Sequence, residues 1–405
     1  MEPRGKRGGS TVGMNSVRFC LLLGCFAALA IGSACSGTEE AAEVADAGDA
    51  ATDASPLTDS SPVDDASPVD GETSTDAATD ATEEYPDAAL DSSASVESVG
   101  VVNACTLLPS PDAGAVNFAQ DVLYATLGGQ PQYLDVAWPK SGASHPLVVA
   151  IHGGGWNSGD KSALRTTILA LANAGYTAAS VNYRLLDKTC PPDGGTCNVS
   201  CDGGVGPCYA NTFPAQIEDV RCSVRWLRAN AATYTIDPAR VAALGTSAGG
   251  HLAALIGNAS DVSALDGDGL CPSLAQDVHV LAAVSYFPIT DVTNFPPSSS
   301  LGKGMPHFLG VATVPGSPQA ALASPISHID PKDPPVLLIH GTADTTVPIS
   351  HSRNYLAGLH DAGVPATLVE VPDAGHGFSV FSGSPATLLP PSCTTVAFLE
   401  KFLKP

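Results

Sequence analysis

No lysine or arginine occurs between residues 36 and 100, a stretch holding eighteen Asp or Glu among Ala, Ser, Thr and Pro, as in "DAGDAATDASPLTDSSPVDDASPVDGE". With so little apolar surface to bury, such a segment cannot offset the entropy of folding, and it is expected to be a solvated tether with a mean reach of about 45 Å. Basic residues are scarce elsewhere too. From residue 101 onward 14 stand against 22 acidic ones, so most of the formal net charge of −23 sits in the tether. That balance excludes nucleic acid as an expected partner and leaves no polybasic patch for a membrane surface. Long apolar runs are also missing: "FCLLLGCFAALAIGSAC" is too short for a comfortable membrane span. There are no short C-x-x-C knuckles of the structural zinc type, no ordered D-x-D-x-D-G calcium loop in the acidic stretch, and no internal repeat.

What is present begins with Arg4, Lys6, Arg7 and Arg18 ahead of that short apolar run, the pattern of an export signal. The run ends in Gly32-Ser33-Ala34-Cys35-Ser36 and resembles a bacterial lipoprotein signal, which implies a lipid anchor on Cys35 after cleavage. Gly32 stands where that pattern favours Leu, and simple cleavage after Ala34 is the alternative. The expected organisation is a signal over 1–35, a tether over 36–100 and one folded domain over 101–405. The expected location is the bacterial cell envelope or the secreted fraction, with membrane contact only through a lipid at Cys35. Export makes the eight remaining cysteines candidates for up to four disulfides. Four lie in the insertion 190–208, "CPPDGGTCNVSCDGGVGPC", and are expected to pair among themselves; Cys105 and Cys393 are expected to tie the two ends of the domain.

Beyond residue 101, strand-like runs alternate with helical ones. "PLVVAIHGG", "TAASVNYR", "RVAALGTSAGG", "HVLAAVSYFP", "PPVLLIHGTAD" and "ATLVEVP" read as buried strands. Between and after them "SALRTTILALANAGY", "FPAQIEDVRCSVRWLRANAATY", "HLAALIGNAS", "SHSRNYLAGLHDAG" and "TTVAFLEKFL" read as helices. This alternation predicts an α/β class: a mostly parallel sheet covered by helices on both faces. "QYLDVAWP" alternates as an antiparallel strand added at the sheet edge does.

Within that frame "GTSAGGH" puts Ser247 on a strand-to-helix turn, where the flanking glycines relieve crowding and the helix start supplies oriented N–H groups. "HGGGW" follows the first buried strand, and its glycines let backbone N–H groups approach an oxyanion, so Gly154, Gly155 and Ala248 are the expected oxyanion hole. Downstream, Asp344 in "HGTADTTVP" and His376 in "VPDAGHGF" each follow a strand, giving the order Ser, Asp, His. Imidazole suits the base because its ordinary pKa lies near neutrality, and a carboxylate fixes its tautomer. Asp291 and Asp373 are rival carboxylates. Trp156 is a candidate substrate contact or a cover for the sheet edge. His152 is expected to brace the glycine loop, His340 to be packed at a strand end, and His251 to begin the helix after the turn.

The segments "HGGGW", "YR" at 183–184, "FPAQIEDVRCSVRWLRANAATYTIDPARVAALGTSAGGH" and "PPVLLIHGTADTTVP" resemble the α/β-hydrolase esterases related to bacterial feruloyl and acetylxylan esterases, of the BD-FAE type, over most of 120–405. The resemblance implies a serine carboxylester hydrolase without cofactor or metal, acting on a small-molecule or carbohydrate ester, with short acyl groups such as acetyl or feruloyl esters of sugars. His-Gly-Gly-Gly is also similar to hormone-sensitive-lipase-type esterases, which carry Asp where Thr246 stands here. Two other readings use the same residues: a small amidase or peptidase, and a binding protein on the hydrolase scaffold.

Overall fold

The computed structural model describes residues 105–106, 116–187, 209–267, 269–296, 298–311, 314–378, 383–384, 387–388 and 390–404. The expected signal, tether and Cys-rich insertion therefore lie outside the described residues. In chain order the strands are β1 (Cys105–Thr106), β2 (Val116–Leu127), β3 (Gln130–Pro139), β4 (His145–Ile151), β5 (Thr177–Val181), β6 (Ile236–Thr246), β7 (Ala282–Tyr286), β8 (Val336–Gly341), β9 (Ala366–Val371), β10 (Gly383–Ser384) and β11 (Thr387–Leu388). The α-helices are α1 (Arg165–Asn173), α2 (Ala215–Ala229), α3 (Ala248–Asn258), α4 (Ser300–Leu309), α5 (Pro318–Ala323), α6 (Ser350–Asp361) and α7 (Pro390–Leu403).

Eight strands form one sheet in the order β2-β3-β5-β4-β6-β7-β8-β9. The β2–β3 and β3–β5 pairs are antiparallel and every later pair is parallel. The parallel strands are apolar throughout because both faces are covered. Along β4, Leu147, Val149 and Ile151 pack toward α2 and α3, while Val148 and Ala150 pack toward α1 and α7. This is the predicted α/β architecture, with one revision at the edge: β3 is internal, and β2 covers it. β1, β10 and β11 make a separate three-piece sheet.

Local signals set several helix ends. Asp160 accepts a hydrogen bond from the Ser162 N–H at 2.8 Å, opening the 3₁₀ turn Lys161–Leu164 that leads into α1. Ser299 caps α4 by accepting from Gly302 N–H at 2.9 Å, and Gly310 closes that helix in the left-handed conformation. A disulfide joins Cys222 on α2 to Cys271, with Cα atoms 5.5 Å apart. Cys393 on α7 is also disulfide-bonded. The side chain of Cys105, its expected partner, lies outside the described residues.

Candidate active site

Strand β6 ends at Thr246 and α3 begins at Ala248, leaving Ser247 alone on the bend with φ 53° and ψ −119°. L-residues rarely adopt that conformation, which in a turn is the preserve of glycine. The bend is tight because α3 starts directly against the sheet: a Cβ on Gly249 would stand 2.1 Å from the Ile151 carbonyl oxygen and 2.5 Å from that of His152. Glycine is therefore required there by close approach, and the same approach sets the serine beside the loop that follows β4.

Two other strand ends deliver the partners. His376 lies beyond β9, and its Nε2 is 2.9 Å from Ser247 Oγ. Its Nδ1 is 2.7 Å from Asp344 Oδ2, beyond β8. A carboxylate oxygen can only accept, so Nδ1 carries the hydrogen and Nε2 faces the serine hydroxyl as the acceptor. The other Asp344 oxygen accepts from the N–H groups of Thr346 (2.9 Å) and Val347 (3.0 Å). Burial works against the charge of Asp344, but contacts from His340, His376 and the Val347 N–H outweigh it and hold its carboxyl well below the usual range. The rival carboxylates are turned to other tasks: Asp291 accepts from the N–H and hydroxyl of Thr293, and Asp373 is exposed.

The glycine loop passes across the serine. Gly154 has φ 119°, and a Cβ there would meet the Ser158 carbonyl oxygen at 2.1 Å, so only glycine permits this path. The Gly154 carbonyl is held by Asn157 and Ser158 N–H groups and by the Ser158 hydroxyl at 2.8 Å. Among the described residues, the N–H groups of Gly154, Gly155 and Ala248 donate to no protein acceptor. His152 braces the loop from beneath: its ring stacks on Tyr183 at 4.4 Å, its Nδ1 is 2.7 Å from the Gly153 oxygen, and burial lowers its pKa.

A cleft of about 630 Å³ opens over these atoms, with Ser247, His376, Gly154 and Gly155 in its wall. Leu164, Phe287, Ile289, Leu301 and Phe378 supply apolar surface, and His376 is the one ionisable side chain among the described lining residues. Leu301 belongs to α4, so that helix supplies part of the cleft wall. No grouping of three or more His, Cys, Asp or Glu able to hold a metal occurs among the described residues.

Trp156 is the correction. It is 2% exposed and does not line the cleft. Its indole stacks on Phe308 of α4 at 4.0 Å and donates its N–H to His251 Nδ1 at 3.2 Å. The opposite nitrogen of His251 is 2.6 Å from the Ala323 oxygen of α5. Trp156 thus ties the glycine loop to the helix behind the serine instead of contacting a substrate. Sequence reasoning missed Phe287, which takes φ 38° just after β7 and sets its ring 4.7 Å from that of His376. A lone aromatic at a strand end carries no signal of such a contact.

A mostly parallel sheet with a serine on a strained strand-to-helix turn, and a histidine and an aspartate from later strand ends, defines an α/β-hydrolase. Within that class the chain belongs to the BD-FAE family, whose model matches residues 134–194 and 208–359. It is 29% identical over 287 residues to the esterase LipQ of Mycobacterium tuberculosis, the match covering 67% of this chain and 60% of LipQ. A solved truncated carbohydrate esterase from gut microbiota is 26% identical with a TM-score of 0.59, over 73% of this chain and 99% of that one. A propionate-bound thermophilic esterase, Est2 of Thermogutta terrifontis, is 25% identical with a TM-score of 0.53, over 73% of this chain and 95% of that one.

Proposed function

We propose that the protein is an exported serine hydrolase that cleaves carboxylic esters with short, uncharged acyl groups, sugar esters among them. The observation that carries the reading is the continuous relay from Ser247 Oγ through His376 to Asp344, set beside unpaired N–H groups. In the first half-reaction Ser247 Oγ bonds to the ester carbonyl carbon while His376 Nε2 takes the hydroxyl proton. Negative charge gathers on the carbonyl oxygen, where the N–H groups of Gly154, Gly155 and Ala248 receive it; each such donor contributes about 3 kcal/mol to the transition state. Collapse expels the alcohol, which leaves with the proton from His376, and an acyl group remains on Ser247. Water then attacks with His376 again as base, releasing the acid and restoring the serine. Asp344 keeps the imidazole in the required tautomer and stabilises the imidazolium.

His376 as the one ionisable side chain among the described lining residues supports neutral substrates, and the names of LipQ, the gut carbohydrate esterase and Est2 support ester chemistry. The basic-then-apolar amino terminus supports export. The test is hydrolysis of p-nitrophenyl acetate, butyrate and octanoate, and of the matching anilides, by the full chain made under oxidising conditions. Turnover that falls with chain length and is absent in Ser247→Ala is expected. Cleavage of anilides in preference to esters moves the reading to an amidase. Neither turnover nor fluorophosphonate labelling in a folded protein leaves a binding role on a hydrolase scaffold.

A further inference from the structure

We propose that His340 is a positioning residue that clamps the loop carrying Asp344 and so holds the acid in register with His376. This rests on the assignment of Ser247, His376 and Asp344 made above. His340 lies near the end of β8, four residues before Asp344, and is fully buried, as is the side chain of the acid. Its Nε2 is 2.9 Å from the Val347 carbonyl oxygen and 3.3 Å from Asp344 Oδ2, the oxygen that His376 also uses. Its Nδ1 is 2.7 Å from Ser352 Oγ on α6, a hydroxyl that is likewise buried.

These contacts dictate a tautomer. The Val347 oxygen can only accept, so Nε2 bears the hydrogen; in the neutral ring Nδ1 then accepts from the Ser352 hydroxyl. The same ring therefore pins the carbonyl of Val347, whose own N–H binds Asp344 Oδ1 at 3.0 Å. The loop from 344 to 347 is thus closed from both sides of one residue. The Nε2–H dipole also adds positive potential beside Oδ2, which tempers the charge that His376 feels. A partner on each nitrogen is what any buried histidine requires, as in His251; what sets His340 apart is that Nε2 also lies against the reactive carboxylate and holds the loop that carries it.

The other ionisable groups bearing on His340 are His351 on α6 and Glu370 on β9, besides Asp344 itself. None stands between Nε2 and the acid, so the readout follows the Asp344–His376 pair.

The experiment compares wild type, His340→Leu, His340→Gln and Ser352→Ala in the oxidised full chain. Readouts are kcat, KM, the acid limb of kcat/KM against pH, and the low-field proton resonance of the hydrogen bond between His376 Nδ1 and Asp344. In His340→Leu, kcat is expected to fall about 10- to 100-fold, the scale of a small misplacement of a reacting group, with KM little changed. The acid limb is expected to move to higher pH, because a less compensated carboxylate favours the imidazolium. Gln can return an N–H toward Val347 and is expected to recover most of both effects. Ser352→Ala frees the tautomer and is expected to weaken or shift the low-field resonance even if His340→Leu fails to fold.

A folded His340→Leu with unchanged kcat and limb overturns the proposal, and so does an unaltered resonance in Ser352→Ala. The resonance needs no substrate. A wild type that shows it, yet neither turns over ester nor takes a fluorophosphonate, rejects the hydrolase reading while leaving the clamp standing or falling on Ser352→Ala.

Discussion

Replacing Ser247 by glycine and by alanine separates what the serine does from where it sits. Both changes remove the hydroxyl, so both lose its hydrogen bond to His376, a net loss of about 1 kcal/mol. Only alanine keeps the side-chain strain at φ 53° and ψ −119°. A residue held in such a conformation stores about 1–3 kcal/mol. Glycine releases that strain but brings a more flexible unfolded chain, a penalty of about 0.5–1 kcal/mol. The difference leaves Ser247→Gly more stable than Ser247→Ala by up to about 2.5 kcal/mol, with neither variant expected to hydrolyse ester. Because both are inactive, stability is compared without interference from turnover. Urea unfolding at neutral pH under oxidising conditions, with equal slopes for the two proteins, measures it directly. A Gly variant less stable than the Ala variant would refute the idea that the bend is strained and that the surrounding sheet pays for it.

Three further outcomes follow from the same geometry. Trp156→Phe retains the stack on Phe308 but strands His251 Nδ1, which costs about 1–3 kcal/mol, whereas Trp156→Ala opens a cavity and costs about 3–5 kcal/mol; chemical denaturation orders the two. His251 and His351 are buried, and desolvation lowers each pKa to about 4. The unfolded chain therefore binds more protons below about pH 6.5, and stability is present above that pH and lost as it falls toward 4. The loss is of order 3 kcal/mol for each ring, and His251→Asn should flatten the stability curve over that window. Opening the Cys222–Cys271 bridge by a double Ala substitution releases a loop with a sequence separation of 49, an expected loss of about 4 kcal/mol by calorimetry.

The parallel part of the sheet was legible because strands buried on both faces leave continuous apolar runs, which is how β4 through β9 were found. Strand β2 was not. It has one open face, carries Asp121 and exposed Leu123 within it, and breaks register twice against β3, so it shows neither a run nor a clean alternation. Helix α4 escaped notice because its two internal glycines and Pro306 disguise an amphipathic turn that only its contacts with the rest of the fold stabilise. At the site, the order of serine, aspartate and histidine can be read because each follows a strand, and parallel strands end on one edge. The roles of Trp156 and His340 were not readable. Each depends on which way a side chain turns into the interior, and composition and spacing carry no record of that.

Every reactive group described here stands at the carboxyl ends of β4, β6, β8 and β9, so the opposite rim of the sheet carries none of the chemistry. Lys140 and Lys332 are exposed in the segments leading into β4 and β8 on that rim. Attaching the protein to a solid support at these two positions alone would leave the cleft facing the liquid.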